Sequence, residues 1–369
     1  MTSEKGTVRM TRGERLRRCY CCEEVDRPAV YSRTGFPSED PSYDRLKAYL
    51  QDHTEQKVGW SSGRIESTYP TRSQREPHSE DWERRITVLE TPAGELTSSR
   101  LVSLKGQPGL HERYAVNNRE EAEIYLSLPI PKVEGDVSDF FEAREKIAEV
   151  GVAEVALGFN SGGFVAELCG SENFATMSIT DRDTVHALCE RHMTILSNRA
   201  KFLLEKGAGP FFSLAGQEYI VPPLHGWSDF CDFNVRYDKP IIDLIHEAGG
   251  RVHVHCHGSI KSVIRGFVDM GVDVLHPFEP PPMGDITPAE AKAHARGKLC
   301  LEGNTQINRM YEAMPEEISE ETAALIRDAF DDQRGLIVCP TASPYIRGEG
   351  ENCFPQYKAM IDTVLEWSG

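Results

Sequence analysis

The sequence predicts a (β/α)8 barrel with an N-terminal extension that contains a β-hairpin, and three observations predict it. After Pro131, short apolar runs alternate with amphipathic stretches at the spacing of βαβ units. Gly207, Gly249–Gly250 and Gly271 stand where the intervening helices should stop. Polar, chemically capable residues gather at the C-terminal ends of the apolar runs, the end at which barrels of this kind build their sites. A doubly wound sheet is the competing architecture. Neither G-x-G-x-x-G nor a phosphate-binding P-loop follows any strand, which argues against dinucleotide and nucleotide chemistry.

The six runs expected as strands are Ala153–Leu157, Phe211–Leu214, Arg251–His257, Val272–His276, Lys298–Gly303 and Leu336–Pro340. A short strand at Pro28–Ser32 or the hairpin region is expected to complete the eight. Asp181–Lys206, Lys239–Ala248, Ile260–Met270, Pro288–Arg296 and Pro315–Phe330 read as the helices between them. Before residue 131 the chain is irregular and polar. Thr11–Glu24 reads as a helix, and Gly59–Ser79 as a long surface loop. Arg85–Glu90 and Leu96–Ser103 alternate around Thr91-Pro92-Ala93-Gly94 as a hairpin. Residues 1–130 are therefore expected to form an extension or lid packed on a barrel core of residues 131–369, the two making one structural domain.

Composition narrows the function. Lys and Arg number 41 against 58 Asp and Glu, a net charge of −17, and such a surface repels phosphate backbones. No nucleic-acid partner is expected. No apolar stretch approaches the roughly 20 residues that span a bilayer, and Met1–Arg18 lacks the apolar core of an export signal, so a cytoplasmic address without a membrane partner is expected. The 10 cysteines do not form a dense disulfide pattern and read as reduced thiols, with Cys19, Cys21 and Cys22 structural.

The chemistry concentrates at the strand ends: Gln217 and Glu218; His253, His255 and His257; His276 and Glu279; Glu302 and Asn304; Cys339, Thr341 and Ser343. The run Arg251-Val-His-Val-His-Cys-His-Gly258 is the most informative. Alternation puts the three histidines on one face and Val252, Val254 and Cys256 on the other, and the valines suit the helix-facing side. His255 and His257, nearest the strand end, are expected to share a metal ion, most plausibly zinc, with Cys339 as the third ligand. Glu218 is available as a fourth, displaceable oxygen, and His253 lies one layer deeper. Glu279, before a proline-rich loop, is read as orienting substrate or water or else capping the next helix. Asn304 is a similar polar handle. The competing reading, in which these are hydrogen-bonded core histidines and a packing cysteine, stays open at this point.

At these residues the chain resembles the uroporphyrinogen decarboxylase superfamily. The resemblance runs from Arg15 through Asp26-Arg27-Pro28 to about Leu365 and is strongest in Tyr237–Gly258, Gly271–Asp285, Glu302-Gly303-Asn304 and Leu336–Tyr345. It implies a (β/α)8 barrel with its site at the C-terminal mouth and one of two activities. True uroporphyrinogen decarboxylases use no metal and hold an acidic porphyrinogen through an R-Q-A-G-R motif, which is absent here. The other branch comprises corrinoid-dependent methyltransferases that bind zinc through H-x-C and a later Cys. This chain has His255-x-His257 in place of H-x-C, and alignment on Gly258 sets His257 and Cys339 at the two cysteine positions. The resemblance thus implies a zinc methyltransferase that moves a methyl group between a methyl ether or thiol and a corrinoid (cobalamin) carried on a partner protein. The alternatives are a metal-free decarboxylase or lyase and a non-catalytic ligand-binding barrel.

Overall fold

A computed structural model describes residues 10–367. Its twelve strands in chain order are β1 (Ala29–Val30), β2 (Gln56–Ser61), β3 (Thr71–Pro77), β4 (Trp82–Thr91), β5 (Gly94–Ser103), β6 (Leu110–Arg113), β7 (Gly151–Phe159), β8 (Phe211–Ala215), β9 (Arg251–His255), β10 (Val274–His276), β11 (Cys300–Thr305) and β12 (Leu336–Pro340). Eight of them form one parallel sheet in the order β1-β12-β11-β10-β9-β8-β7-β2. Sequential strands are neighbours, and helices such as Arg182–Glu205, Arg236–Glu247 and Pro315–Ala329 lie between them in the chain, which is the (β/α)8 architecture.

The seam between β1 and β2 is joined just before β2 begins. The Glu55 N–H donates to the Val30 carbonyl at 3.0 Å, and the Val30 N–H donates to the Glu55 carboxylate at 2.7 Å. The helix Arg12–Tyr20, capped by the Thr11 hydroxyl, buries Leu16, Cys19 and Tyr20 in the barrel core. The Tyr20 ring stands edge-on to Phe211 at 4.9 Å between centroids. Arg15 on the same helix is 1% exposed and is neutralised by Asp26 at 2.6 Å and Glu55 at 2.8 Å, the pairing a buried guanidinium requires.

The remaining strands form a separate antiparallel sheet, β3-β4-β5-β6, inserted between β2 and β7. The expected hairpin is present with the expected turn, Thr91 pairing with Gly94. Two expectations for this region are corrected. Within Gly59–Ser79, read as a loop, lie the end of β2 and all of β3; β3 is almost wholly exposed, so no apolar alternation marks it. The division at residue 130 does not separate barrel from appendage, because β1 and β2 are barrel wall. A second apolar cluster, including Leu96, Val116, Tyr125 and Phe174, ties the inserted sheet to the helices Arg119–Leu126 and Ser171–Thr180.

Register positions the interior. His253 and His255 of β9 lie beside Val274 and His276 of β10, Val274 pairs with Cys300 of β11, and Asn304 pairs with Cys339 of β12. His276 therefore stands level with Glu302. Val252 and Val254 are fully buried on the opposite face of β9, as their alternation with histidine predicts.

A candidate active site inside the barrel

The barrel interior opens into a cavity of about 400 Å³ whose wall includes Arg33, Lys57, Glu154, His253, His255 and Glu302. These side chains come from four strands and from the loop after β1. A small-molecule pocket is ordinarily apolar with a few polar groups. This one sets four charged side chains, Arg33, Lys57, Glu154 and Glu302, and two imidazoles, His253 and His255, among apolar residues such as Ala156, Leu214 and Ala215.

The charges are internally paired. Lys57, its side chain 4% exposed, donates to the Glu302 carboxylate and lies 3.9 Å from Glu154. Burial works against its ammonium form, but Glu302 and Glu154 outweigh that and raise its pKa. Burial likewise opposes ionisation of Glu154; His253, 3.3 Å away, together with Lys57 and the Tyr20 hydroxyl, overcomes it and holds the carboxyl at about 2. Burial, reinforced by Arg33, depresses the His255 imidazole to about 2 and His276 well below its ordinary range, so both are neutral. Their Nδ1 atoms approach to 2.9 Å, with an Arg33 nitrogen 3.1 Å from one and 3.5 Å from the other. The His276 Nε2 lies 3.2 Å from the Pro340 carbonyl. With Nε2–H donating there, the Nδ1 lone pair of His276 faces the interior.

Among the described residues, one group of three metal-capable side chains brings its donor atoms within 4.8 Å of one another: His276, Glu302 and Cys339, all buried. Zinc bonds nitrogen and oxygen at about 2.0–2.2 Å and thiolate sulfur at about 2.3 Å, so tetrahedral donors stand about 3.4–3.8 Å apart. A contraction of about 1 Å brings the three to that spacing. The donor chemistry fits: a neutral imidazole, a carboxylate held by a lysine, and a thiol, with a fourth position left for a small molecule, as catalytic zinc sites have. Burial pushes the Cys339 thiol well above its usual pKa, so without a cation it is protonated; a bound divalent ion would reverse that.

The structure distributes the sequence-predicted residues differently from the expected quartet. Cys339 is in the group of three. His255 lies beside it, in contact with His276 but outside the three. His257 is further out, its side chain 40% exposed, with Nδ1 3.2 Å from the Glu279 carboxylate. The same Glu279 oxygen accepts the Gly258 N–H at 2.9 Å, so this carboxylate fixes the turn at which β9 leaves the sheet. Glu218 sits in the turn Gln217–Ile220 after β8, where burial raises its pKa while its own N–H, the Gly216 N–H and His257 partly offset that. Asn304 borders a different cavity of about 460 Å³, between the Pro280–Pro282 loop and the helix Pro315–Ala329.

His276 and Glu302 were visible as strand-end residues but passed over as ligands, because two histidines on one strand form a stronger local pattern than single residues on adjacent strands. Lys57, Arg33, Glu154 and Tyr20 were missed. The signal for Glu154 was a lone carboxylate within Val-Ala-Glu-Val-Ala-Leu. For Lys57 it was the alternation Lys57-Val58-Gly59-Trp60, polar residues inward and apolar outward, as in β9.

A family model described as uroporphyrinogen decarboxylase (URO-D) matches residues 118–346, more than half of the chain. Among solved structures, a methyltransferase from Methanosarcina mazei superposes with a TM-score of 0.59 at 13% identity, covering 97% of this chain and 99% of that one. A B12-independent methionine synthase from Shewanella sp., in complex with selenomethionine, gives a TM-score of 0.45 at 13% identity over 65% of this chain and 70% of that one. At these identities the Methanosarcina likeness establishes the fold and no more. No curated protein matches the chain.

Proposed function

This chain belongs to the uroporphyrinogen decarboxylase family, and on that premise we propose that it is a zinc-dependent methyltransferase that moves a methyl group between a small methyl ether or thiol and a corrinoid carried by a partner protein. The observation that carries this reading is the convergence of His276, Glu302 and Cys339 beside the barrel cavity. These three would hold the ion. When bound, zinc supplies Lewis acidity towards a thiol or an ether oxygen.

The chain's own residues do the rest. Lys57 orients the Glu302 carboxylate and offsets its charge. Burial, with the Arg33 guanidinium beside both rings, keeps His255 and His276 neutral. The buried walls exclude bulk water, which strengthens each of these electrostatic effects. Glu218, its pKa raised by burial, is a proton source or sink where β8 opens, and Glu279 holds His257 at the mouth. A corrinoid partner would approach from the C-terminal mouth of the barrel. No helix among the described residues is long and apolar enough to cross a membrane.

A second reading has its own support. Arg33 reaches into the cavity with imidazoles as its side-chain partners and no carboxylate within ion-pair distance among the described residues. A guanidinium so placed suits an anionic substrate, which a metal-free decarboxylase would require. Metal analysis separates the two readings. Methyl transfer predicts about one zinc per chain and change in the cobalamin absorption spectrum on mixing with methyl donor. Decarboxylation predicts neither, with release of carbon dioxide from a carboxylated substrate.

A further inference from the structure

Outside the residues that line the cavity lies a second buried polar cluster. Asp238 on the helix Arg236–Glu247 is fully buried, and so are Asn160, Ser161, Gln217 and Asn234 around it. One carboxylate oxygen of Asp238 accepts from the Asn160 amide at 2.8 Å and from the Gln217 amide at 3.0 Å. The Ser161 backbone N–H also donates to this carboxylate. No Lys, Arg or His among the described residues pairs with it: its charge meets only neutral donors. The Asn160 amide also donates to the Asn234 side-chain oxygen at 2.7 Å, and the Asn234 amide reaches the Gln217 carbonyl at 3.3 Å.

Three oxygens of this cluster have no hydrogen-bond partner among the described residues: the second carboxylate oxygen of Asp238, the side-chain oxygen of Gln217 and the hydroxyl of Ser161. Reorienting the amides does not rescue them. Asn160 uses its oxygen to cap the helix Ser161–Cys169 through the Gly163 N–H at 2.9 Å, so its nitrogen must face Asp238. Turning the Gln217 amide over would set oxygen against carboxylate. A buried polar atom left unpaired costs about 1–3 kcal/mol, and a buried carboxylate without a countercharge costs more. Three such oxygens belong to one buried network, and an ion shared by them or a proton on Asp238 would relieve that cost.

We propose that this cluster binds an alkali cation, sodium or potassium, through Asp238, Gln217 and Ser161. Oxygen-only donors select a hard cation. One carboxylate neutralises one positive charge; a divalent ion would leave a net charge buried, and calcium sites supply several carboxylates to avoid that. The competing occupant is a proton on Asp238, whose pKa burial raises to about 7. Gln217 opens the turn that carries Glu218, so the cation would also brace that side of the barrel mouth. This site is independent of the zinc reading and stands or falls without it.

The test is thermal unfolding of the full chain in sodium, potassium and choline chloride at equal ionic strength, for the wild type and Asp238→Asn. Binding predicts a melting temperature higher by roughly 2–4 °C in sodium or potassium than in choline, and no such difference in Asp238→Asn. Equal wild-type temperatures in all three salts, or a difference that persists in the variant, overturn the proposal. Should Asp238→Asn not fold, wild-type crystals grown in rubidium chloride decide: an anomalous peak within bonding distance of Asp238 supports the site, and its absence refutes it.

Discussion

At the scale of single residues, the barrel interior depends on charges that neutralise one another out of reach of water. Lys57 is the hinge of that arrangement, since Glu302 and Glu154 both count on its ammonium. Lys57→Met keeps the bulk and removes the charge. It is expected to lower stability by about 3–5 kcal/mol, as breaking a buried pair does, measured by urea denaturation. A loss below about 1 kcal/mol would show that the carboxylates find other partners or take up protons at little cost. Acid sensitivity follows from the depressed groups, His192 and Glu154 alongside His255 and His276 of the cavity. Burial holds His192 down to about 3 against the bond from its ring to the Phe159 carbonyl, and Glu154 sits at about 2. All of these folded values lie below the unfolded ones, so the stability they contribute is present above the unfolded pKa and lost as pH falls. The loss begins near 6.5 for the histidines and near 4.5 for Glu154. Glu154→Gln should flatten the decline between about pH 4.5 and 2 while leaving the histidine portion, as followed by circular dichroism.

At the scale of elements, legibility in the sequence depended on which face of a strand touches the core. β9 was readable because Val252 and Val254 meet helices while His253 and His255 meet the cavity, and a period of two survives either way. β2 obeys the same rule, but with only Val58 and Trp60 as apolar members its run is too weak to stand out from a polar region. β3 has no buried face and left no trace in the pattern. The C-terminal strands were found to within a few residues because both of their faces are buried. What no strand pattern conveys is which residues of neighbouring strands stand level, and that register is what sets His276 beside Glu302, while His257 lies past the end of β9. The joint between the N-terminal helix and the barrel seam is open to direct test. Glu55 is fully buried, accepting from Arg15, Arg27 and the Val30 N–H. Glu55→Ala strands two guanidinium groups, and a loss of about 3–5 kcal/mol is expected from chemical denaturation. A near-neutral result would mean that Asp26 alone compensates Arg15.

At the scale of the whole molecule, the barrel carries a sheet inserted after its second strand and an interior in which charges and imidazoles stand among apolar walls. If a metal completes that interior, folding and metal binding are linked, and a chelator should lower the melting temperature of the wild type. Cys339→Ala, with a ligand gone, should show a chelator response much reduced or absent. The central claim is that the ion sits among His276, Glu302 and Cys339 and not at the strand-end pair His255 and His257. Zinc content of purified wild type, His276→Ala, Cys339→Ala and His257→Ala tests it most directly. The expected result is about one zinc per chain in the wild type and in His257→Ala, and little in the other two. Zinc lost from His257→Ala but kept in His276→Ala, or no zinc in the wild type, would contradict it.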